Sequence, residues 1–250
     1  MKKLLLSGVS LVGLAAAPAM GADILMKAPP PMFYSWVGCY VGAAGGYAWG
    51  QSRAENDGIP GPITITGNYN VSGGIIGGTA GCNLLQSGSW MFGVESDLSS
   101  SGKKGSGNDL PPYNTATSNE TRENWLNTDR VRVGYVANNW FLYATAGVAV
   151  ANVWYSISNA AIIAGGSVSE THTRAGWTAG AGVEWALDRS WSVKTEYLYA
   201  NFGGTAYFNF PGAIPGGIAN RNGGVFLNDN IVRVGVNYKF GFAGPAVTKY

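Results

Sequence analysis

The sequence predicts an all-β chain: an eight-stranded antiparallel up-and-down barrel that crosses a membrane, with short periplasmic turns and long extracellular loops. Three observations predict it. Segments of about ten residues alternate apolar and polar side chains. The connections between them alternate strictly between short and long. The N-terminus, MKKLLLSGVSLVGLAAAPAMGA, has the form of an export signal.

The last segment shows the pattern most clearly. In VRVGVNYKF, Val232, Val234, Val236, Tyr238 and Phe240 share one face, and Arg233, Gly235, Asn237 and Lys239 share the other. WMFGVESDL sets Trp90, Phe92, Val94 and Leu98 against Gly93, Glu95 and Asp97. NTDRVRVGYV sets Val131, Val133 and Tyr135 against Arg130, Arg132 and Gly134. GWTAGAGVEW opposes Trp177 and Trp185 to Glu184, and WSVKTEYLY opposes Trp191, Val193 and Tyr197 to Lys194 and Glu196. WFLYATAGVAV and GGIIGGTAGCNLL alternate more weakly, and WVGCYVGAAGGYAW is the first strand. Eight segments of this length suffice to cross a bilayer when tilted.

QSGS (86–89), ANN (137–139) and ALDRS (186–190) are tight turns. The remaining linkers, roughly 50–71, 101–123, 155–173 and 200–228, are long and polar. An outer-membrane barrel makes that arrangement, whereas a soluble sandwich has no reason to segregate loop lengths. In hydrocarbon every backbone polar group needs an internal partner, so the sheet must close. The apolar face then meets lipid and the charged face points inward. A soluble barrel with an apolar ligand cavity would reverse the faces. It would have to bury Glu95, Asp97, Arg130, Arg132, Glu184, Lys194, Glu196, Arg233 and Lys239, at large desolvation cost. With eight strands the interior is just wide enough for side chains, so these charges are expected to pair into a wet plug. A narrow ion path along the same network is the alternative. Trp90, Trp140 and Trp191, each directly after a short turn, are expected to form an aromatic girdle with Tyr238 and Phe240 at the periplasmic interface.

Domain organisation follows from the same reading. Residues 1–22 are a signal peptide, cleaved after Gly21 or Ala22; 23–35 a Pro-rich periplasmic lead-in; 36–240 the barrel; and 241–250 a C-terminal periplasmic extension. Charged residues are only 12% of the chain and the formal net charge is +2. Removing Lys2 and Lys3 brings that charge to zero, so there is no bulk electrostatic reason to bind nucleic acid.

The segments WVGCYVGAAGGYAWG, GGTAGCN, FGVESDL, WLNTDRVRVGY, GWTAGAGVEWAL, WSVKTEYLY and the terminal VGVNYKF resemble, in this order, the small porin-like outer-membrane β-barrel proteins of alphaproteobacteria, which include immunogenic surface antigens and hemin-binding members. The resemblance spans about Trp36 to Phe240. It implies residence in the outer membrane among lipids and lipopolysaccharide, and assembly by the barrel-assembly machinery reading the aromatic-ended last strand, a role carried onto Tyr238 and Phe240. The chain runs on through GFAGPAVTKY to Tyr250, which leaves open which aromatic is read.

The sequence departs from the family pattern in two places, the pair Cys39 and Cys82 and the single position Asp129. Cys39 and Cys82 stand where Phe and Tyr are usual. Both fall on the lipid-facing parity, and pairing of Trp36 near Leu85 would oppose them directly, within disulfide reach in an oxidising periplasm. Two free, lipid-buried thiols are the alternative. Asp129 stands where an apolar residue is usual. Parity puts it outward near the outer rim, unless a bulge turns it inward.

No constellation for catalysis is evident, and no metal or cofactor is expected. The single histidine, His172, lies with Ser169 and Glu170 in the third long linker. Hemin ligation by His172, Tyr69, Tyr113 or Tyr207 is a weak alternative. The function this reading favours is structural: envelope integrity and a surface-antigen role through the loops. The runner-up is a low-conductance porin for ions or small solutes. A hemin or adhesion receptor ranks third.

Overall fold

The computed structural model describes residues 34–56, 63–161, 163, 166–204, 207–211 and 220–240. The expected signal peptide, most of the lead-in and the C-terminal extension lie outside the described residues. The chain is built of strands: β1 (Gly38–Asn56), β2 (Ile63–Thr64), β3 (Tyr69–Ser87), β4 (Trp90–Ser101), β5 (Lys104–Asn108), β6 (Ser118–Ala137), β7 (Trp140–Ser158), β8 (Ser167–Ala186), β9 (Trp191–Asn201), β10 (Tyr207–Pro211) and β11 (Asn220–Phe240). All pairings are antiparallel, and β11 returns to pair with β1, from Cys39 opposite Phe240 to Asn56 opposite Gly223. The eleven segments fill eight places in the ring. β5 continues the course of β4 between β3 and β6, β10 pairs β11 beyond β9, and β2 pairs the end of β1.

The short connections are as tight as expected. Gly88 and Asn138 take positive φ (59° and 54°), the left-handed geometry that two-residue hairpins need. The Asp188 carboxylate accepts the backbone N–H groups of Ser190 (2.7 Å) and Trp191 (2.8 Å) in the third turn. These two donors hold its carboxyl below the usual carboxylate range.

The long connections are shorter than expected, because the strands run on. β6, β7 and β8 have 20, 19 and 20 residues, about twice the length needed to cross a bilayer. The polarity pattern inverts in these outer extensions. On β7 the inward residues become Val153, Tyr155 and Ile157, while Asn152 and Ser158 face out. On β1, Gln51, Arg53 and Glu55 face out and Ala54 faces in. Near the turns the outside is apolar and the inside charged; beyond them the outside is polar and the inside apolar. Hydrocarbon around the first part and water around the second would give the same alternation opposite signs.

Candidate functional site

The barrel interior is filled in layers. Closest to the short turns is an apolar layer of Trp36, Met91, Phe141, Tyr143 and Ala186. Further along the strands a second apolar layer includes Ile75, Leu126, Leu198, Phe202, Leu227 and Ile231. A third, near the loop end, contains Ala54, Ile65, Tyr113, Tyr155, Ile157, Ile163 and Val225.

Between the first two layers lies the charged network. Strand parity brings one or two ionisable side chains inward from each of β4, β6, β8, β9 and β11, and the small diameter brings their ends together. Arg130 reaches Glu95 (2.6 Å), Glu196 (2.7 Å) and Asp97 (2.8 Å). Arg132 reaches Glu184 (2.6 Å) and Glu95 (2.9 Å), and Lys194 reaches Glu95 (2.7 Å). Arg233 joins Asp97 and Glu196, each at 2.7 Å. Four cations meet four carboxylates, so the network is neutral. All eight are buried. Lys239, expected with them, stands at the turn-end mouth instead. Its ammonium bonds the Ser35 carbonyl and lies 4.3 Å from the Tyr34 ring centre.

Several residues of this interior were not legible as such in the sequence. Tyr40 donates its hydroxyl to Glu95 (2.6 Å), and Arg132 lies 4.1 Å from the Tyr143 ring centre. Both rings occupy space left by glycines. A Cβ on Gly81 would come 2.3 Å from the Tyr40 oxygen, and one on Gly182 would come 2.6 Å from the Tyr143 ring. Inward glycines beside inward tyrosines were the available signal. A second ionic group, Lys103 with Glu123 (3.0 Å) and Asp229, is buried at the level of the second apolar layer. Its members fall in stretches that read, by sequence, as loops or as the edge of the last strand.

The turn-end mouth is closed by the segment before β1. Trp36 is 1% exposed, donates its indole N–H to the Asn138 carbonyl (3.2 Å) and packs on Phe141 at 5.4 Å. Asn83 donates to the Trp36 carbonyl (2.9 Å). Burial pushes the adjacent Tyr34 phenol up to about 12. Replacing Trp36 with alanine is expected to cost about 3–5 kcal/mol, the range for a fully buried tryptophan. Urea unfolding in detergent, followed by the mobility difference between folded and unfolded bands, measures it. A wild-type midpoint would mean that Trp36 is not docked.

On the outer surface, Trp90, Trp140, Trp191, Tyr238 and Phe240 are all exposed around the turn end. They pair across strands: Trp90 with Tyr135 (6.0 Å), Trp140 with Trp185 (5.7 Å), and Trp191 with Tyr238 (4.9 Å). A second, looser set, Tyr47, Trp49, Trp177 and Tyr199, stands farther along β1, β8 and β9. Valine and leucine dominate the wall between the sets. Asp129 faces outward there. The register shift on β6 falls between Glu123 and Trp125, farther toward the loops, so no bulge turns Asp129 inward. Cys39 and Cys82 lie directly opposite one another and form a disulfide.

The other candidate ligands part company. His172 lies within β8, not in a loop, and contacts Glu170 (3.0 Å). Alternation puts Ser169 on the opposite face from both, so the three do not converge. Tyr69 and Tyr113 are buried in the outer layers, and the Tyr207 side chain lies outside the described residues. Among the described residues no three His, Cys, Asp or Glu side chains are placed to hold a metal.

A family model described as "Outer membrane protein beta-barrel domain" matches residues 7–240. The chain belongs to this family. It is an outer-membrane β-barrel protein. It is 31% identical over 261 residues to the 31 kDa outer-membrane immunogenic protein of Brucella melitensis biotype 1, covering 96% of this chain and 100% of that one. It is 29% identical to the 22 kDa outer membrane protein of Rhizobium leguminosarum bv. viciae, covering 86% and 82%. Among solved structures it resembles the outer membrane protein OprG of Pseudomonas aeruginosa, with a TM-score of 0.55 and 15% identity over 83% of this chain and 98% of that one. That likeness shows the fold alone.

Proposed function

We propose that this outer-membrane barrel is a closed structural element of the envelope, and that its external strand extensions and loops act as surface antigen. The observation that carries this reading is the layered interior. The neutral charge network has buried apolar layers on both sides, and Trp36 sits in the periplasmic mouth. An ion following the network would have to cross both layers, and the turn-end layer of Trp36, Met91, Phe141 and Ala186 offers little to replace its hydration. On this reading the plug expected from the sequence is sealed rather than wet, which weighs against the low-conductance porin.

The remaining assignments support the same picture. The paired tryptophans and tyrosines at the turn end suit a periplasmic interface belt, where an apolar ring with a polar edge is stable. Tyr238 and Phe240 end the closing strand at that belt, consistent with recognition by the assembly machinery. Residues 1–22 would be removed on export. Lipids and lipopolysaccharide would contact the outward valines and leucines.

The test is single-channel current across a planar bilayer. Mature protein, shown to be folded by its heat-modifiable mobility, is expected to be silent. Reproducible small openings whose selectivity changes with Arg132→Ala would overturn the sealed reading.

A further inference from the structure

Among the described residues six cations are buried: Lys103, Arg130, Arg132, Arg174, Lys194 and Arg233. Five of them touch a carboxylate. Arg174 touches none. It is 4% exposed, and its Nη2 donates to the Gly203 carbonyl at 2.7 Å. Its Nε and Nη1 are buried without a hydrogen-bond partner. A guanidinium stays charged at any physiological pH, and an unpaired charge out of water is costly. Every other buried cation among the described residues meets that cost with an anion supplied by the chain. Arg174 has the same need and no such anion.

We infer that Arg174 is the receptor for an oxyanion that enters the outer half of the barrel from the external side. Its place fits that role. It lies on β8 with the inward parity of Thr178, three residues beyond Trp177 toward the loops, opposite Ala151 of β7. The side chain is thus turned away from the bilayer, and a lipid headgroup lying against the outer wall does not reach it. The donors left open on the guanidinium match phosphate or carboxylate oxygens, the partners this group binds most strongly. The outer section also carries the hydroxyls of Ser52, Tyr69 and Thr121, bonded to one another at 2.6–3.2 Å. They add polar groups to the apolar lining of that section. This inference is independent of whether the barrel conducts.

The experiment uses the mature chain refolded in zwitterionic detergent free of lipopolysaccharide. Thermal unfolding and calorimetric titration are followed with inorganic phosphate, and separately with acetate. One saturable site is expected, with a rise in the unfolding temperature. Arg174→Gln is expected to bind about ten-fold more weakly or worse, the worth of one charge-assisted hydrogen bond. It should also lose the thermal shift while remaining at least as stable as wild type without ligand. Arg53→Gln removes an outward arginine already paired with Glu55 at 2.8 Å and should bind as wild type does. Response to phosphate alone assigns a phosphorylated solute; response to acetate alone, or equally to both, assigns a carboxylate or general oxyanion. Wild-type protein that responds to neither anion overturns the inference, whether or not the variant folds. So does a response that Arg174→Gln retains in full.

Discussion

Replacing Glu95 with alanine is expected to destabilise the folded barrel by about 3–5 kcal/mol, the cost of stranding a buried charge. Glu95 is the hub of the network. Its carboxylate accepts from Arg130 (2.6 Å), Arg132 (2.9 Å), Lys194 (2.7 Å) and Tyr40 (2.6 Å). Removing it turns a neutral set of eight into one with a buried excess positive charge. The three cations it joins cannot rotate to water, because apolar layers close both ends. Urea midpoints of the folded band in detergent give the loss. Adding Lys194→Met to Glu95→Ala restores neutrality and should recover part of it. Wild-type stability in the single variant would mean that water reaches the network and screens it, which would reopen the case for conduction.

Loss of the Cys39–Cys82 disulfide should remove up to about 4 kcal/mol. The bridge spans a sequence separation of 43 residues, and the estimate is the chain entropy of closing a loop of that length. Its position adds a second effect. From Ala43 opposite Gly78 to Ala48 opposite Gly73, each of the six consecutive pairs between β1 and β3 contains a glycine, so one side chain of every pair is a hydrogen. Side chains this small specify register weakly, and a slip of one residue would exchange the lipid and interior faces. The disulfide fixes which residues are opposed. Cys39→Ser with Cys82→Ser should therefore refold more slowly and to a lower yield as well as unfold at lower urea. Oxidised protein, unfolded without reductant, should take up no thiol label. Two labels per chain would end both expectations.

The sequence by itself determined the wall. Period-2 alternation in segments such as VRVGVNYKF and tight turns at 88, 138 and 188 sufficed for an eight-place barrel with its charges inward. Side-chain parity is a local property of an extended chain, so it is readable without knowing what lies across the barrel. It sufficed as well to oppose Cys39 to Cys82, because their strands are neighbours in a hairpin. The outer extensions were missed because their alternation has the opposite sign, apolar inward and polar outward, and so resembles a polar loop when read for a lipid-facing stripe.

Only the tertiary structure decided what the interior does. Trp36 lies before the first strand, and nothing local says that it folds into the mouth against Phe141. Lys103, Glu123 and Asp229 come from distant stretches and meet only because the ring closes. Whether the charges line a path or seal one depends on which layers stand above and below them, a matter of depth. Arg174, unlike the others, has no carboxylate partner at its own depth. Parity gives each side chain its face of the wall, but its partner across a closed barrel is set by strand stagger and diameter, which are properties of the whole ring.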